Sequence, residues 1–239
     1  MALEDRGMTE RRRHYPPIHG WLYDTVVGIV RVLVKALTRY HVEGLEHIPR
    51  QGPLMFVSNH LHHFDTVMIA IVMPRRTWVL AAEKYEKHLL FGPLLRVGGA
   101  IFIRRGEVDR KALRAALEVL EDGHCLALAV EGTRSRTGAL AEGKAGAAYL
   151  ATRADVPLVP VVVWGTEKVI PSWFRLRRAN VYVRFGPPFR LPAGRARPEE
   201  LDAYTDEIMT TLAAMLPPEY RGVYRDHPLL RRKLADSAP

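Results

Sequence analysis

The sequence is poor in cysteine, and this scarcity alone excludes several classes of protein. Cys125 is the single cysteine among 239 residues, so no intrachain disulfide can form and a zinc site built on several cysteines is excluded. No segment repeats at a fixed period, which excludes a solenoid. Aromatic residues make up only 8%. They do not alternate with basic residues in a way suited to base stacking, so we expect no nucleic acid partner.

A long uncharged hydrophobic run is also missing. The apolar stretch of residues 18–37 carries Asp24, Arg31 and Lys35, whereas a membrane-spanning helix needs about 20 mainly apolar residues. Residues 1–17 are polar and basic, a pattern that does not fit a cleavable signal peptide. We therefore expect neither a spanning helix nor a signal sequence in this part of the chain.

The charged and small residues of this stretch instead form one stripe of a helix. Spacings of four, three and four separate its members, which are Asp24, Gly28, Arg31 and Lys35. Apolar side chains cover the other side, with aromatic residues at one end and arginines before them, as in helices that lie on anionic membranes. The pattern predicts an amphipathic N-terminal helix, associated with a membrane surface or packed as an ordinary helix on its own domain.

Positive charge is in excess in an otherwise ordinary composition. The chain has 35 Lys and Arg against 26 Asp and Glu, a net charge of +9. Hydrophobic residues make up 48% and charged residues 26%, which is typical of a globular protein. A chain this basic favours an anionic partner, such as a phosphorylated substrate or an acidic membrane.

Predicted strands alternate with predicted helices along most of the chain. The strands fall at residues 41–46 (with a turn), 54–58, 78–82, 100–103, 125–130, 157–164 and 180–185. The helices fall at residues 65–72, 110–122, 146–154 and 199–216. This alternation predicts an α/β fold with a mixed, largely parallel central sheet flanked by helices. We divide the chain into a basic N-terminal segment with its helix (residues 1–40), an α/β domain (41–220) and a basic C-terminal tail (221–239).

The loop after the strand of residues 54–58 carries a candidate catalytic pair. His60 and Asp65 are five residues apart across a loop-to-helix turn, a spacing that lets the carboxylate orient the imidazole as a general base. No neighbouring serine or cysteine is an evident nucleophile, so the base would act directly on a substrate hydroxyl. Two alternatives stay open. Asp65 can cap the following helix, or it can join His60, His62 and His63 in the metal site of a phosphoester hydrolase.

Two further loops present arginine where strands end. Residues 131–135 combine a glycine turn, two hydroxyls and the Arg134 guanidinium, which suits a phosphate because arginine makes paired hydrogen bonds to an oxyanion. The strand of residues 100–103 leads to Arg104 and Arg105. If both loops lie at the sheet edge that carries His60, they predict a phosphate pocket; otherwise they are solvated turns.

Taken together, four blocks of the sequence resemble the glycerolipid acyltransferase family, typified by the lysophosphatidic acid acyltransferases. The blocks are the His-x4-Asp motif (residues 60–65), the strand ending in arginine (99–105), the Glu-Gly-Thr-Arg-Ser block (131–135) and a proline-flanked strand (156–161). The resemblance covers roughly residues 40–190. It has two departures: Val130 and Arg104 stand where the family usually has proline and often has aspartate.

The resemblance implies an O-acyltransferase. A fatty acyl chain would move from an acyl thioester, on coenzyme A or acyl carrier protein, to the free hydroxyl of a lysophosphatidic acid-like acceptor, giving phosphatidic acid. His60 would be the base and Asp65 would orient it. The acceptor phosphate site would comprise Arg105, Glu131, Gly132, Thr133, Arg134 and Ser135.

The resemblance also implies partners and a location. It requires no metal or other cofactor, and it favours the membrane interpretation of the N-terminal helix. The enzyme would then be a peripheral or monotopic protein on the cytoplasmic face of a membrane. Another lysophospholipid or a glycolipid is the alternative acceptor.

Overall fold

The computed structural model describes residues 13–89, 91–104, 106 and 108–236, which form a seven-stranded sheet with helices on both faces. The strands are β1 (Thr38–Glu43), β2 (Leu54–Ser58), β3 (Thr77–Ala82), β4 (Ala100–Ile103), β5 (Cys125–Ala129), β6 (Leu158–Trp164) and β7 (Ala179–Phe185). The helices are α1 (Gly20–Leu37), α2 (Phe64–Val72), α3 (Phe91–Val97), α4 (Arg110–Glu121), α5 (Gly146–Ala154), α6 (Val169–Phe174), α7 (Pro198–Met215) and α8 (Pro228–Asp236).

The strand order places β2 in the middle of the sheet. The order is β1-β7-β6-β2-β5-β3-β4, and every neighbouring pair is parallel except β6 and β7, which are antiparallel. The predicted mixed, largely parallel sheet is therefore confirmed. The carboxyl ends of β2, β5 and β6 meet at one edge, where open parallel sheets bind their ligands.

Both faces of the sheet are covered, which explains why its strands are continuously apolar. Successive side chains of a strand point to opposite faces, so a strand covered on both faces has no polar side. Met55 and Val57 of β2 pack with α4, α5 and α7 on one face. Leu54 and Phe56 pack with α1 and α2 on the other face.

The predicted N-terminal helix is present as α1, but its polar stripe is used to hold it on the domain. The Arg31 guanidinium donates two hydrogen bonds to the carbonyl oxygen of Ile71, at 2.9 and 2.7 Å. Asp24 forms an ion pair with Arg76 at 2.7 Å. The polar stripe therefore faces the domain at these two residues, and the membrane association of α1 stays a prediction.

The outward face of α1 is largely apolar. Trp21, Ile29, Val32 and Leu33 are between 57% and 75% exposed, while Val34 is buried against the sheet. In the part of the chain that the structure describes, no helix is long and apolar enough to cross a membrane.

The segment predicted as a basic tail contains the ordered helix α8. Leu230 is fully buried in the core with α7, and the Lys233 ammonium donates a hydrogen bond to the Glu207 carboxylate at 2.5 Å. The sequence pattern predicted neither α8 nor the six-residue helix α6.

Candidate active site

A buried asparagine fixes the start of the loop that follows β2. The Asn59 side chain is 1% exposed. Its amide nitrogen donates to the carbonyl oxygen of Val163 and its oxygen accepts from the Val163 amide, each at 2.8 Å. Through these two bonds, the Asn59 side chain continues the hydrogen bonding between β2 and β6 beyond the end of β2. The next residue, His60, therefore leaves the sheet from a defined position. No role for Asn59 was predicted from the sequence.

The structure brings the imidazole of His60 and the carboxylate of Asp65 together. Nδ1 of His60 lies 3.4 Å from Oδ2 of Asp65, and the His60 side chain is 16% exposed. Asp65 is 1% exposed; its Oδ2 also accepts from the His62 amide at 2.6 Å, and its Oδ1 accepts from the Thr166 hydroxyl at 2.5 Å. With Nδ1 directed at Asp65, Nε2 is the ring nitrogen left for a ligand.

The bond to the His62 amide also bears on the capping interpretation of Asp65. Asp65 lies in the first turn of α2, and a carboxylate that accepts a backbone amide there stabilises the start of a helix. The same carboxylate therefore supports the helix with Oδ2 while it faces the imidazole. Asp65 is not the N-cap of α2, which is His63 and has no side-chain capping bond, so the capping interpretation is wrong in that form.

The backbone of His60 is held on both sides by the loop of residues 131–135. Its amide donates to Oε1 of Glu131 at 2.8 Å, and its carbonyl oxygen accepts from the Ser135 amide at 2.8 Å. The second oxygen of Glu131 accepts from the Ala141 amide at 2.9 Å. Glu131 is 1% exposed, so its carboxylate is engaged with the backbone inside the protein.

Burial raises the pKa of Glu131 from its usual 4.5 to about 7. The hydrogen bonds from the Ala141 and His60 amides oppose this rise in pKa, and the negative charge of Asp65 adds to it. A carboxyl with this pKa changes its charge near neutral pH while it holds the backbone of the candidate base.

Arg134 lies next to the histidine loop. Its guanidinium contacts Nε2 of His63 and lies 3.5 Å from the Tyr85 hydroxyl oxygen. Burial, followed by the positive charge of Arg134, lowers the pKa of His63. A His63 that stays neutral accepts a hydrogen bond from the guanidinium, which holds Arg134 beside the loop that carries His60.

The other predicted members of the phosphate site lie in different environments. Gly132 and Thr133 are exposed, and Gly132 adopts the left-handed φ of 65° that a tight turn here requires. The Ser135 hydroxyl donates to the Ala139 carbonyl oxygen at 2.5 Å. Arg105 lies outside the described residues.

The histidines of this loop do not form a metal site together with Asp65. Among the described residues, no group of three or more His, Cys, Asp or Glu side chains is arranged to hold a metal ion. His62 instead stacks on Phe64, with 6.1 Å between ring centroids, and His63 contacts Arg134. The geometry therefore does not support the predicted metal alternative.

A cavity of about 290 Å³ runs from this site into the apolar interior. His60, Asp65 and Arg134 line it at the sheet edge. Most of the remaining lining is apolar, contributed by α1, α2, α3, β3 and β5; it includes Val26, Val30, Ala70, Val79, Leu94 and Ala127. A few polar groups at one end of an apolar cavity are typical of a site for an amphipathic ligand.

These features define an α/β protein with an imidazole–carboxylate pair at the ends of parallel strands, beside an apolar cavity. The sequence model of the family described as Acyltransferase matches residues 39–164, which is more than half of the chain and includes all three candidate site loops. The chain belongs to the acyltransferase family and is an enzyme of that class.

Individual relatives are glycerolipid acyltransferases, which confirms the resemblance. The 1-acyl-sn-glycerol-3-phosphate acyltransferase of Limnanthes douglasii is 26% identical over 205 residues, covering 83% of this chain and 70% of the relative. The alpha form from Bos taurus is 28% identical over 191 residues, covering 77% of this chain and 66% of the relative. The chain thus spans about two thirds of these relatives.

A solved structure gives the same assignment. The crystal structure of the 1-acyl-sn-glycerophosphate (LPA) acyltransferase PlsC from Thermotoga maritima matches this fold with a TM-score of 0.59 and 27% identity. The match covers 78% of this chain and 77% of that chain.

Proposed function

We propose that the protein transfers a fatty acyl chain from a thioester donor to the free hydroxyl of lysophosphatidic acid, giving phosphatidic acid. The observation that carries the proposal is the His60–Asp65 pair at the polar end of an apolar cavity, in a chain of the acyltransferase family. The names of the relatives supply the acceptor class.

In the proposed reaction, Nε2 of His60 takes the proton of the acceptor hydroxyl as its oxygen attacks the thioester carbonyl carbon. The tetrahedral intermediate collapses, the carbon–sulfur bond breaks, and the leaving thiolate takes the proton from His60. Asp65 stabilises the imidazolium that exists between these two steps. The 3.4 Å separation in the free enzyme shortens when the substrate binds, as such contacts commonly do.

Thr166 and Glu131 support the base without touching the substrate. The Thr166 hydroxyl bonds to the buried Asp65 carboxylate at 2.5 Å and restricts its rotation. Glu131 holds the His60 amide, and both of its oxygens are occupied by backbone groups. We therefore place Glu131 as a positioning residue rather than a contact of the acceptor phosphate.

Arg134 is the residue that we assign to the acceptor phosphate. It is half-buried, charged and next to the base, and the exposed Gly132 and Thr133 lie beside it on the same turn. Arginine suits this role because its guanidinium donates two parallel hydrogen bonds to an oxyanion. The contribution of Arg105 stays a prediction from the family motif.

The apolar part of the cavity is proposed to hold the acyl chain. Its lining from α1, α2, α3 and β3 is mainly apolar, with the hydroxyl-bearing Tyr23, Thr66 and Thr77 as the polar exceptions. An acyl chain buried there leaves its carbonyl carbon at the polar end, within reach of the acceptor hydroxyl. The outward apolar face of α1 supports attachment to the surface of an anionic membrane, and we propose that this is the cytoplasmic face.

Release of free thiol from acyl donors tests the reaction. Purified protein is given oleoyl-coenzyme A, or the matching acyl carrier protein thioester, with and without lysophosphatidic acid. We expect release that depends on the acceptor and falls about 10²- to 10⁴-fold in His60→Ala, the usual contribution of a general base. The surface variant His41→Ala is the matched control and should keep full activity.

Other outcomes separate the alternatives. Turnover by His60→Ala at the wild-type rate would refute the mechanism. Release with a different lysophospholipid or a glycolipid, but not with lysophosphatidic acid, would reassign the acceptor and keep the chemistry. Undiminished activity after chelation of divalent metals is expected, whereas phosphate release that a chelator abolishes would favour a hydrolase.

A further inference from the structure

The connection between β6 and β7 carries a cluster of exposed apolar side chains at the end of α6. Ile170 is 43% exposed, Trp173 54%, Phe174 86% and Leu176 96%. We call residues 170–177 the α6 tip. Single exposed apolar residues are common on protein surfaces, but several large ones together usually mark an interaction site.

The backbone of the α6 tip presents a leucine where a helix normally ends in glycine. Leu176 has a left-handed φ of 52°. Its amide donates to the Trp173 carbonyl oxygen and the Arg177 amide donates to that of Ser172, each at 2.9 Å, the pattern of a helix end that favours glycine. The leucine side chain is almost fully exposed there, so it adds nothing to packing within the protein.

Cations surround these apolar side chains. Lys168, Arg175, Arg177 and Arg178 lie in or beside the tip; Lys168 forms an ion pair with Glu167 at 3.9 Å, and residues 168–178 contain neither aspartate nor glutamate. Aromatic and aliphatic side chains flanked by arginine and lysine complement the surface of an anionic bilayer, with apolar groups below the headgroups and cations beside the phosphates.

The α6 tip is continuous with the outward face of α1. The Arg178 guanidinium bonds to the backbone carbonyl oxygens of Lys35 and Thr38, which ties the base of the tip to the end of α1. The exposed Val32 and Leu33 lie in the last turns of the same helix. The exposed apolar side chains of the α6 tip and those of α1 therefore lie on one surface of the protein.

This surface is at the catalytic edge of the sheet. β6 runs parallel to β2, with Val161 opposite Ser58, so the connection after β6 emerges at the edge where His60 follows β2. Thr166, three residues before α6, bonds to Asp65. A bilayer that contacts the α6 tip therefore lies against the edge at which the cavity has its polar end.

We infer that the α6 tip inserts Trp173, Phe174 and Leu176 into the interfacial layer of an anionic phospholipid bilayer, as a membrane contact in addition to α1 on the same surface. The inference rests on the proposed function in one respect: a lipid acyltransferase is expected to meet a phospholipid bilayer. Its test measures binding rather than turnover.

The experiment uses the full chain with vesicles of phosphatidylcholine, alone or with 30 mol% phosphatidylglycerol as the anionic lipid. The double variant Phe174→Ser/Leu176→Ser should bind the anionic vesicles about tenfold or more weakly, since each side chain loses apolar burial. Val223→Ser, which removes a side chain that is 62% exposed elsewhere, should bind within twofold of wild type. Urea unfolding of each variant verifies that the fold is unchanged.

Tryptophan fluorescence locates the contact. With brominated lipids in the vesicles, wild-type emission should be quenched, and Trp173→Phe should lose a large part of the quenched fraction while still binding. Equal quenching of wild type and Trp173→Phe, equal binding of the double variant, or no binding of wild type would each overturn the inference. So would a lipid-free dimer that the double variant dissociates, because the tip would then be a self-association surface.

Thiol release with lysophosphatidic acid dispersed in detergent separates the two proposals. If wild type binds vesicles through the tip but has no acyltransfer activity, the proposed function fails and the membrane contact stands. If the double variant binds vesicles normally and the enzyme is active, only the membrane contact fails.

Discussion

Replacing Glu131 by glutamine should remove a pH-dependent part of the free energy of unfolding. Burial raises the pKa of this carboxyl from 4.5 to about 7 in the folded protein. Its contribution to stability is therefore fully present below pH 4.5 and is lost as the pH rises through about 7. The shift of the pKa corresponds to about 3 kcal/mol in total, since one pKa unit is worth about 1.4 kcal/mol. Roughly 2 to 3 kcal/mol of this falls between pH 5 and pH 8.

Urea unfolding followed by circular dichroism, repeated at intervals from pH 5 to pH 8, measures this effect. The informative quantity is the stability of wild type minus that of Glu131→Gln, because contributions from all other titrating groups cancel. This difference should fall by roughly 2 to 3 kcal/mol from pH 5 to pH 8, whereas the exposed control Glu46→Gln should give a nearly flat difference. A Glu131→Gln difference that is constant within about 0.5 kcal/mol, the usual size of surface effects, would refute the reasoning.

Three further predictions concern the reaction. Thr166→Val leaves a buried Asp65 oxygen without its hydrogen-bond donor, so it should cost about 1 to 3 kcal/mol of stability. It should also lower kcat more than it changes the KM of either substrate. An unchanged kcat would show that Thr166 does not support the base. Arg134→Gln should raise the acceptor KM about tenfold or more, the loss of a charge-assisted hydrogen bond, and leave the donor KM unchanged; a change in the donor KM alone would contradict the phosphate assignment. Ala127→Leu fills part of the cavity and should shift the preference among acyl-coenzyme A donors toward shorter chains, while an unchanged chain-length profile would show that the chain binds elsewhere.

The sequence predicted the central strands and most helices well because they carry local signals. The helix at residues 110–122 was expected from its one-sided apolar pattern and a closing glycine, and α4 spans Arg110–Glu121. The strand at residues 54–58 was expected from an uninterrupted apolar run, which is β2. Such patterns are short-range, so they can be recognised without knowing which elements are neighbours.

The elements that were missed or displaced depend on distant partners. The strand predicted at residues 41–46 is present as β1, but it begins earlier, at Thr38, because residues 38–43 pair along their whole length with β7. α6 is six residues long and contains Pro171, too short for a helical period to be visible. α8 is stabilised by the burial of Leu230 and by the bond between Lys233 and Glu207. These contacts cannot be predicted from a local sequence pattern.

The residues of the candidate site also fall into those with a local sequence signal and those that depend on distant partners. The spacing of His60 and Asp65 predicted their approach because both lie on one turn. Asn59 and Thr166 could not be found from the sequence, since they join residues 104 and 101 positions apart. Residues that support the site could have been sought at the carboxyl end of β6. That location becomes a candidate only once β6 is known to lie beside β2.

The reversal of direction between β6 and β7 explains why the site and the α6 tip share one edge. A parallel β7 would need a connection that crosses a face of the sheet, normally a helix packed on the core. Because β7 is antiparallel to β6, residues 165–178 leave and re-enter the sheet at the same edge and need not cover it. The connection is thus free to present Trp173 and Phe174 to the outside, while its first residues hold Asp65 through Thr166. One change of strand direction therefore links the support of the candidate base to the surface that we assign to the membrane.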